Sequence, residues 1–192
     1  MGKNLRNSLI VLAVLVLAYL INLARQSQYK SATDLAFEVD PEEVVHIQIT
    51  NPNDTLNLIK TDQTWSIQEA DSLVIRQNRI DDFFDKVLQV RKETLVSRNP
   101  DKWALYSVDD SAGVHVRVFG KGEEELGHII LGRAKSDWAR NNIRVAGEQE
   151  VYLTNENILY RVTPRPSFWG EKPKPPAPPD TTQAAPDTSD HS

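Results

Sequence analysis

The sequence predicts an α+β fold: antiparallel sheet meanders with one main amphipathic helix packed on the sheet, preceded by a single transmembrane helix. Three observations predict it. Short runs alternate apolar and polar residues between turn signals, as in VVHIQIT, where Val45, Ile47 and Ile49 share one face. Residues 78–91 repeat apolar side chains at spacings of three and four. Ser8 to Ala24 is an uncharged run in which only Ser8, Tyr19 and Asn22 are polar.

The apolar run comes first. As a helix it covers about 25 Å of the roughly 30 Å of hydrocarbon in a bilayer. Lys3, Arg6 and Arg25 extend the reach by snorkelling. A cleaved signal peptide is the rival reading, and it needs small residues at the last and third-last positions before the cut. Asn22 before Ala24, Lys30 before Ala32 and Asp34 before Ala36 do not supply them. The expectation is an uncleaved anchor, with the lipid bilayer as partner of Ser8 to Ala24. Lys3 and Arg6 tilt a nearly tied charge count towards an N-terminus in the cytoplasm and a domain outside it.

Charge divides the chain into three parts. Residues 1–36, anchor and stalk, carry four bases and one acid; residues 37–165, the globular part, carry sixteen and twenty-two; residues 166–192 carry two and four. No part is basic enough for nucleic acid. With no cysteine there is no disulfide framework, thiol nucleophile or zinc ribbon.

Within 37–165, Asn51-Pro52-Asn53-Asp54 and Thr61-Asp62-Gln63 are turns. They make a three-strand meander of residues 44–50, 55–60 and 64–67, with Trp65 as its largest core candidate. The helix over 78–91 follows, capped by Asn78 and buried through Ile80, Phe83, Phe84, Val87 and Leu88. Residues 94–97 are a strand, and Asn99-Pro100 starts a brief second helix. Val114, Val116 and Val118 alternate in a strand that Gly120-Lys121-Gly122 turns back into 126–131. Residues 142–145 and 151–153 form a hairpin, and 155–162 a short last helix. Residues 164–192 hold eight of the eleven prolines, so 166–192 reads as a Pro-rich tail without a core.

Chemistry is sparse. No Walker A run, dinucleotide fingerprint or Ser elbow occurs, so no cofactor and no enzymatic activity are expected. His46, His115, His128 and His191 show no ligand spacing and read as structural or exposed. The paired acids, such as Asp109-Asp110, lie in turns. The most notable polar segment is the loop 133–144, where Trp138 is flanked by Arg140 and Arg144. Trp138, Arg140 and Arg144 are the candidate ligand or partner site. The expected use of Trp138 is to fold back over the sheet edge; the alternative is an outward stacking platform.

The order Thr64-Trp65-Ser66-Ile67, Phe83-Phe84, Val96-Ser97-Arg98-Asn99-Pro100, Trp103-Ala104-Leu105-Tyr106-Ser107-Val108, Ile130-Leu131-Gly132, Val151-Tyr152-Leu153 and Phe168-Trp169 resembles the bacterial family of domain of unknown function 4340, from about Val44 to Trp169. Many relatives read Tyr-Gly-Leu where this chain has Tyr106-Ser107-Val108. The resemblance implies an N-terminal anchor in a bacterial inner membrane, no established catalytic residues, and, for some relatives, company with ABC-type transporters including gliding-motility systems. The functional expectation is a non-catalytic accessory or scaffold domain that binds an envelope protein complex. An envelope glycan- or anion-binding domain using the Trp138 loop is the alternative.

Overall fold

In the computed structural model, residues 35–68 and 70–173 are described. Ser8 to Ala24 and the tail from residue 174 lie outside them, and no helix among the described residues is long and apolar enough to cross a membrane. The described chain is mostly antiparallel sheet with a few short helices.

The strands are β1 His46–Thr50, β2 Thr55–Thr61, β3 Thr64–Ile67, β4 Val74–Ile75, β5 Lys92–Ser97, β6 Val114–Phe119, β7 Glu125–Arg133, β8 Asn141–Val145, β9 Val151–Thr154 and β10 Gly170–Glu171. Eight form one sheet in the order β3-β2-β1-β6-β7-β8-β9-β5, and β10 pairs with β4. Two meanders are thus joined edge to edge where β1 meets β6, Ile47 opposite Val118 and Ile49 opposite Val116.

Alternation sets the two faces. Ile47, Ile49, Leu56, Leu58, Trp65, Ile67, Val116, Val118, Ile129, Leu131 and Ile143 turn to the main core and are buried. His46, Gln48, Asn57, His115, Arg117, His128 and Arg144 occupy the alternate positions and form a polar second face. One end of that face is covered by a smaller cluster of Val108, Ile130 and Val151, with Trp103 and Tyr106 packed against it.

β3 and β5 are the opposite edges of the sheet, so the chain between them must cross the core face. At about 4.8 Å per strand that is roughly 34 Å. The helix lies on this path, but it is not the continuous element over 78–91 that the spacing predicts. The α-helix α1 spans Gln77–Asp82, and Phe83–Val87 continues it as a π-helix. The Leu88 N–H donates to Phe83 O at 3.0 Å, and the widened turn lets Phe83, Val87 and Leu88 all bury. Phe84 meets Trp65 at 5.9 Å between ring centroids. The helix stops early because better partners take its next backbone groups. The Ala36 N–H donates to Val90 O, and the Arg91 N–H donates to Asn155 Oδ1. Asn78 is not the cap: Arg76 is the capping residue, and its N–H donates to Trp169 O at 2.7 Å.

Three further expectations are corrected. The helix over 155–162 is a single 3-10 turn, Leu159–Arg161, since Asn155 and Asn157 spend their side chains on the loop backbone. The second helix after Asn99 is two 3-10 turns, Pro100–Lys102 and Ala104–Tyr106, although Asn99 does cap it, accepting from the Asp101 N–H. The boundary at 165/166 divides a packed unit. α2, Pro166–Trp169, buries Trp169 completely, and its indole N–H donates to Thr163 O at 2.7 Å.

Candidate functional site

Trp138 sits in the loop between β7 and β8, and the loop is held from both sides. The Asp137 carboxylate accepts from the Ala139 N–H at 3.0 Å and from Arg140 Nε at 2.7 Å. Arg140 also reaches Glu93 of β5, at 3.7 Å. The bond from Arg140, then the Ala139 N–H, holds the Asp137 carboxyl below its usual range. On the other side, Asn157 Nδ2 donates to Trp138 O at 2.9 Å. Asn141, buried at the start of β8, accepts from the Ile158 and Leu159 N–H groups.

These bonds fix the loop backbone and leave the indole outside. Trp138 is 79% exposed, so it does not fold back over the sheet edge as the composition of the loop suggests. Arg140 rather than Trp138 reaches the edge strand β5, through Glu93. Beside Trp138 opens a cleft of about 350 Å3. Arg133, Arg140 and Tyr160 line it, and Tyr160 is 54% exposed. Across Ala134 lies a second cleft of about 280 Å3, lined by Leu105, Tyr106 and Leu153. Leu105 is also largely exposed. The loop is therefore a ridge, with Trp138, Arg133 and Arg140 facing Tyr160 of the last 3-10 turn on one flank and Leu105, Tyr106 and Leu153 on the other.

Arg144 does not belong to this site. It lies on β8, on the polar face, 4% exposed. Its guanidinium stacks 3.8 Å above the Trp103 ring, donates from Nε to Val108 O at 3.0 Å, and meets Asp110 at 2.6 Å. The three sequence-predicted residues thus divide: Trp138 and Arg140 share a cleft, and Arg144 lines another.

That other cleft, of about 440 Å3, contains a pair that spacing along the chain does not reveal. His115 of β6 and His128 of β7 meet with Nδ1 and Nε2 2.9 Å apart. His115 Nε2 is 3.1 Å from Asp110 O, a carbonyl that can only accept. This contact puts the His115 proton on Nε2 and makes Nδ1 an acceptor, so His128 donates from Nε2. The remaining His128 nitrogen, Nδ1, faces Glu125 at 4.0 Å. Burial pushes His128 down to about 4, with Arg117, His115 and Arg144 adding to the effect; His115 is lowered for the same leading reason. Among the described residues no group of three His, Cys, Asp or Glu is placed to hold a metal ion.

The low value has a consequence for stability. Unfolding returns His128 to an ordinary pKa near 6.5, so between pH 6.5 and 4 the unfolded chain takes up a proton that the folded chain refuses. This contribution is complete above pH 6.5 and is lost as pH falls towards 4. Melting temperatures at pH 7 and pH 5 are expected to differ less in His128→Gln than in the parent. An unchanged difference would mean that His128 does not resist protonation.

The family model described as a domain of unknown function (DUF4340) matches residues 65–173. The match runs from β3 through β10 and includes the linings of all three clefts except Thr50, while β1 and β2 precede it. No curated protein and no solved structure matches the chain.

Proposed function

We propose, from the premise that this chain belongs to the family described as a domain of unknown function (DUF4340), that it is a membrane-anchored accessory domain which docks onto an envelope protein complex. In this reading Ser8 to Ala24 anchors it in a bacterial inner membrane, the domain lies outside the cytoplasm, and the partner is of the ABC-transporter kind. The observation that carries the docking reading is the Trp138 ridge. Interfaces draw most of their energy from a few Trp, Tyr and Arg side chains in well-ordered surroundings. Trp138, Tyr160, Arg133 and Arg140 bring those types to one cleft, on a backbone already fixed by Asp137 and Asn157. Little order has to be gained on binding, which lowers its entropic cost. The anchor adds to this by confining domain and partner to the same surface. No catalytic role is assigned to the domain.

Trp138→Ala tests it. The ring is mostly in solvent, so the melting temperature should stay within about a degree, as for a surface substitution. Co-purification of transporter subunits with the full chain from solubilised membranes should fall by about 30-fold, the loss of a hot spot of about 2 kcal/mol. Retained subunits would overturn the reading. Loss of a glycan-dependent capture instead, with the subunits retained, would move the same ridge to the glycan-binding alternative, which stacking on Trp138 and Tyr160 also suits.

A further inference from the structure

The docking ridge leaves the cleft on the polar sheet face unused. Its fixed charges are cations. Arg144 is buried and pinned by Val108 O and the Trp103 ring, and Arg117 donates from Nη1 to Gln48 Oε1 at 3.0 Å. Its anions are the movable ones. The side chains of Asp110 and Glu125 are 79% and 47% exposed, so water competes for them and their ion pairs are weak. The bonds to Val108 and Asp110 use Nε and Nη2 of Arg144; Arg117 bonds Gln48 through Nη1, and its Nε only faces Glu125, at 3.6 Å. The second terminal nitrogen of each guanidinium lies outside these bonds.

We propose that this cleft binds a phosphate group, clamped by Arg117 and Arg144 over the His115–His128 pair. A tetrahedral oxyanion accepts from several directions at once, and guanidiniums on β6 and β8, either side of β7, approach from two. The Thr50 hydroxyl, on the same lining, supplies a further donor. A metal cation is disfavoured, because both guanidiniums flank the imidazoles. His128 registers the same field: burial lowers it first, Arg117, His115 and Arg144 add to that, and Asp110 opposes them. A bound phosphate reverses the sign of that field. The cleft has room for more than one phosphate, so it also admits a phosphate carried on a larger molecule, either a soluble phosphate ester or a lipid headgroup. The site is independent of docking at Trp138 and can fail or stand without it.

The test uses the full chain in neutral-detergent micelles, following the imidazole NMR signals through pH titrations with inorganic phosphate or with sodium chloride at equal ionic strength. Phosphate should move the His115 and His128 signals saturably and raise the His128 midpoint by about one pH unit or more, the effect of a close opposite charge. The apparent Kd should weaken by about tenfold in Arg117→Gln, the loss of one charge-assisted contact. Arg144→Lys, which keeps the charge and loses the fork, should weaken it as well, while Arg98→Gln, at an exposed distant position, should match the parent. A response to phosphatidic acid in the micelles assigns the group to a lipid headgroup, and a response to inorganic phosphate alone assigns it to a soluble compound. No saturable shift, an equal response to chloride, or undiminished binding in Arg117→Gln would overturn the proposal.

Discussion

Trp169→Ala is expected to lower the stability of the domain by about 3–5 kcal/mol, the range for truncating a fully buried large aromatic. Trp169 is 0% exposed and packs edge-on to Phe83, 6.3 Å between centroids, and to Phe168, 5.4 Å away. Its carbonyl receives the Arg76 N–H at the start of α1, and its indole N–H satisfies Thr163 O. Truncation removes the ring beneath the helix, leaves a cavity beside Phe83, and strips Thr163 O of its donor. The helix start, the last 3-10 turn and the β4–β10 pair should loosen together. The measurement is the denaturant midpoint of the full chain in neutral detergent. Trp169→Phe should fall between parent and Ala, because it refills part of the volume without restoring the hydrogen bond. An unchanged midpoint in Trp169→Ala would mean that residues 166–171 do not belong to the core.

The sheet was legible in the sequence wherever alternation was strong. HIQIT, TLNL and VHVRVF alternate core and second-face side chains as read, but at the start of the first run it is Val44, not Val45, that is buried in the core beside Ile47 and Ile49. Two features were hidden for physical reasons. The helix over 78–91 was read too long because the spacing of three and four runs past Leu88 to Arg91, while the backbone there is taken by Ala36 and Asn155, more than fifty residues away on either side. The packing of Trp169 was hidden from the residues, although the family resemblance reached it: prolines on both sides suggest an unpacked tail, yet Pro166 serves as the first residue of a short helix, where its missing N–H costs nothing.

The candidate site was half legible. Trp138 and Arg140 were found because exposed aromatics beside guanidiniums stand out in a loop. Arg144 was grouped with them by proximity in sequence, although strand alternation turns it to the polar face and away from the ridge. The His pair was within reach of the same alternation. Val114, Val116 and Val118 fix one face of β6, and Ile129 and Leu131 fix one face of β7, so His115 and His128 must share the other. What the sequence could not show is the register, because Val118 and Phe119 straddle an irregularity in the ladder with β7. The departure at Tyr106-Ser107-Val108 has a similar meaning. Ser107 lies at φ 56°, the left-handed region that a glycine would occupy without a Cβ penalty.

Gly132→Ala is expected to cost about 3 kcal/mol, the upper part of the range for overpacking, because the obstacle is backbone. A Cβ at Gly132 would stand 2.2 Å from Tyr106 O and 2.5 Å from Ser107 O, and neither carbonyl has a side chain's freedom to rotate away. The segment 100–108 crosses β7 at this point. It brings Val108 onto Ile130 and Val151, and Trp103 under Arg144. Asn142 Nδ2 ties the crossing down by donating to Tyr106 O at 3.0 Å. Pushing the crossing outward should therefore break the small cluster first and leave the main core, on the opposite face, largely intact. Hydrogen exchange separates the two outcomes. Amides of 103–108 and 142–144 should lose protection in Gly132→Ala while those of β1 and β2 keep theirs, and the signals of His115 and His128 should move with Arg144. Parent-like protection over 103–108, or an even loss across both faces, would show that the covering segment is not a separate layer held by the missing Cβ.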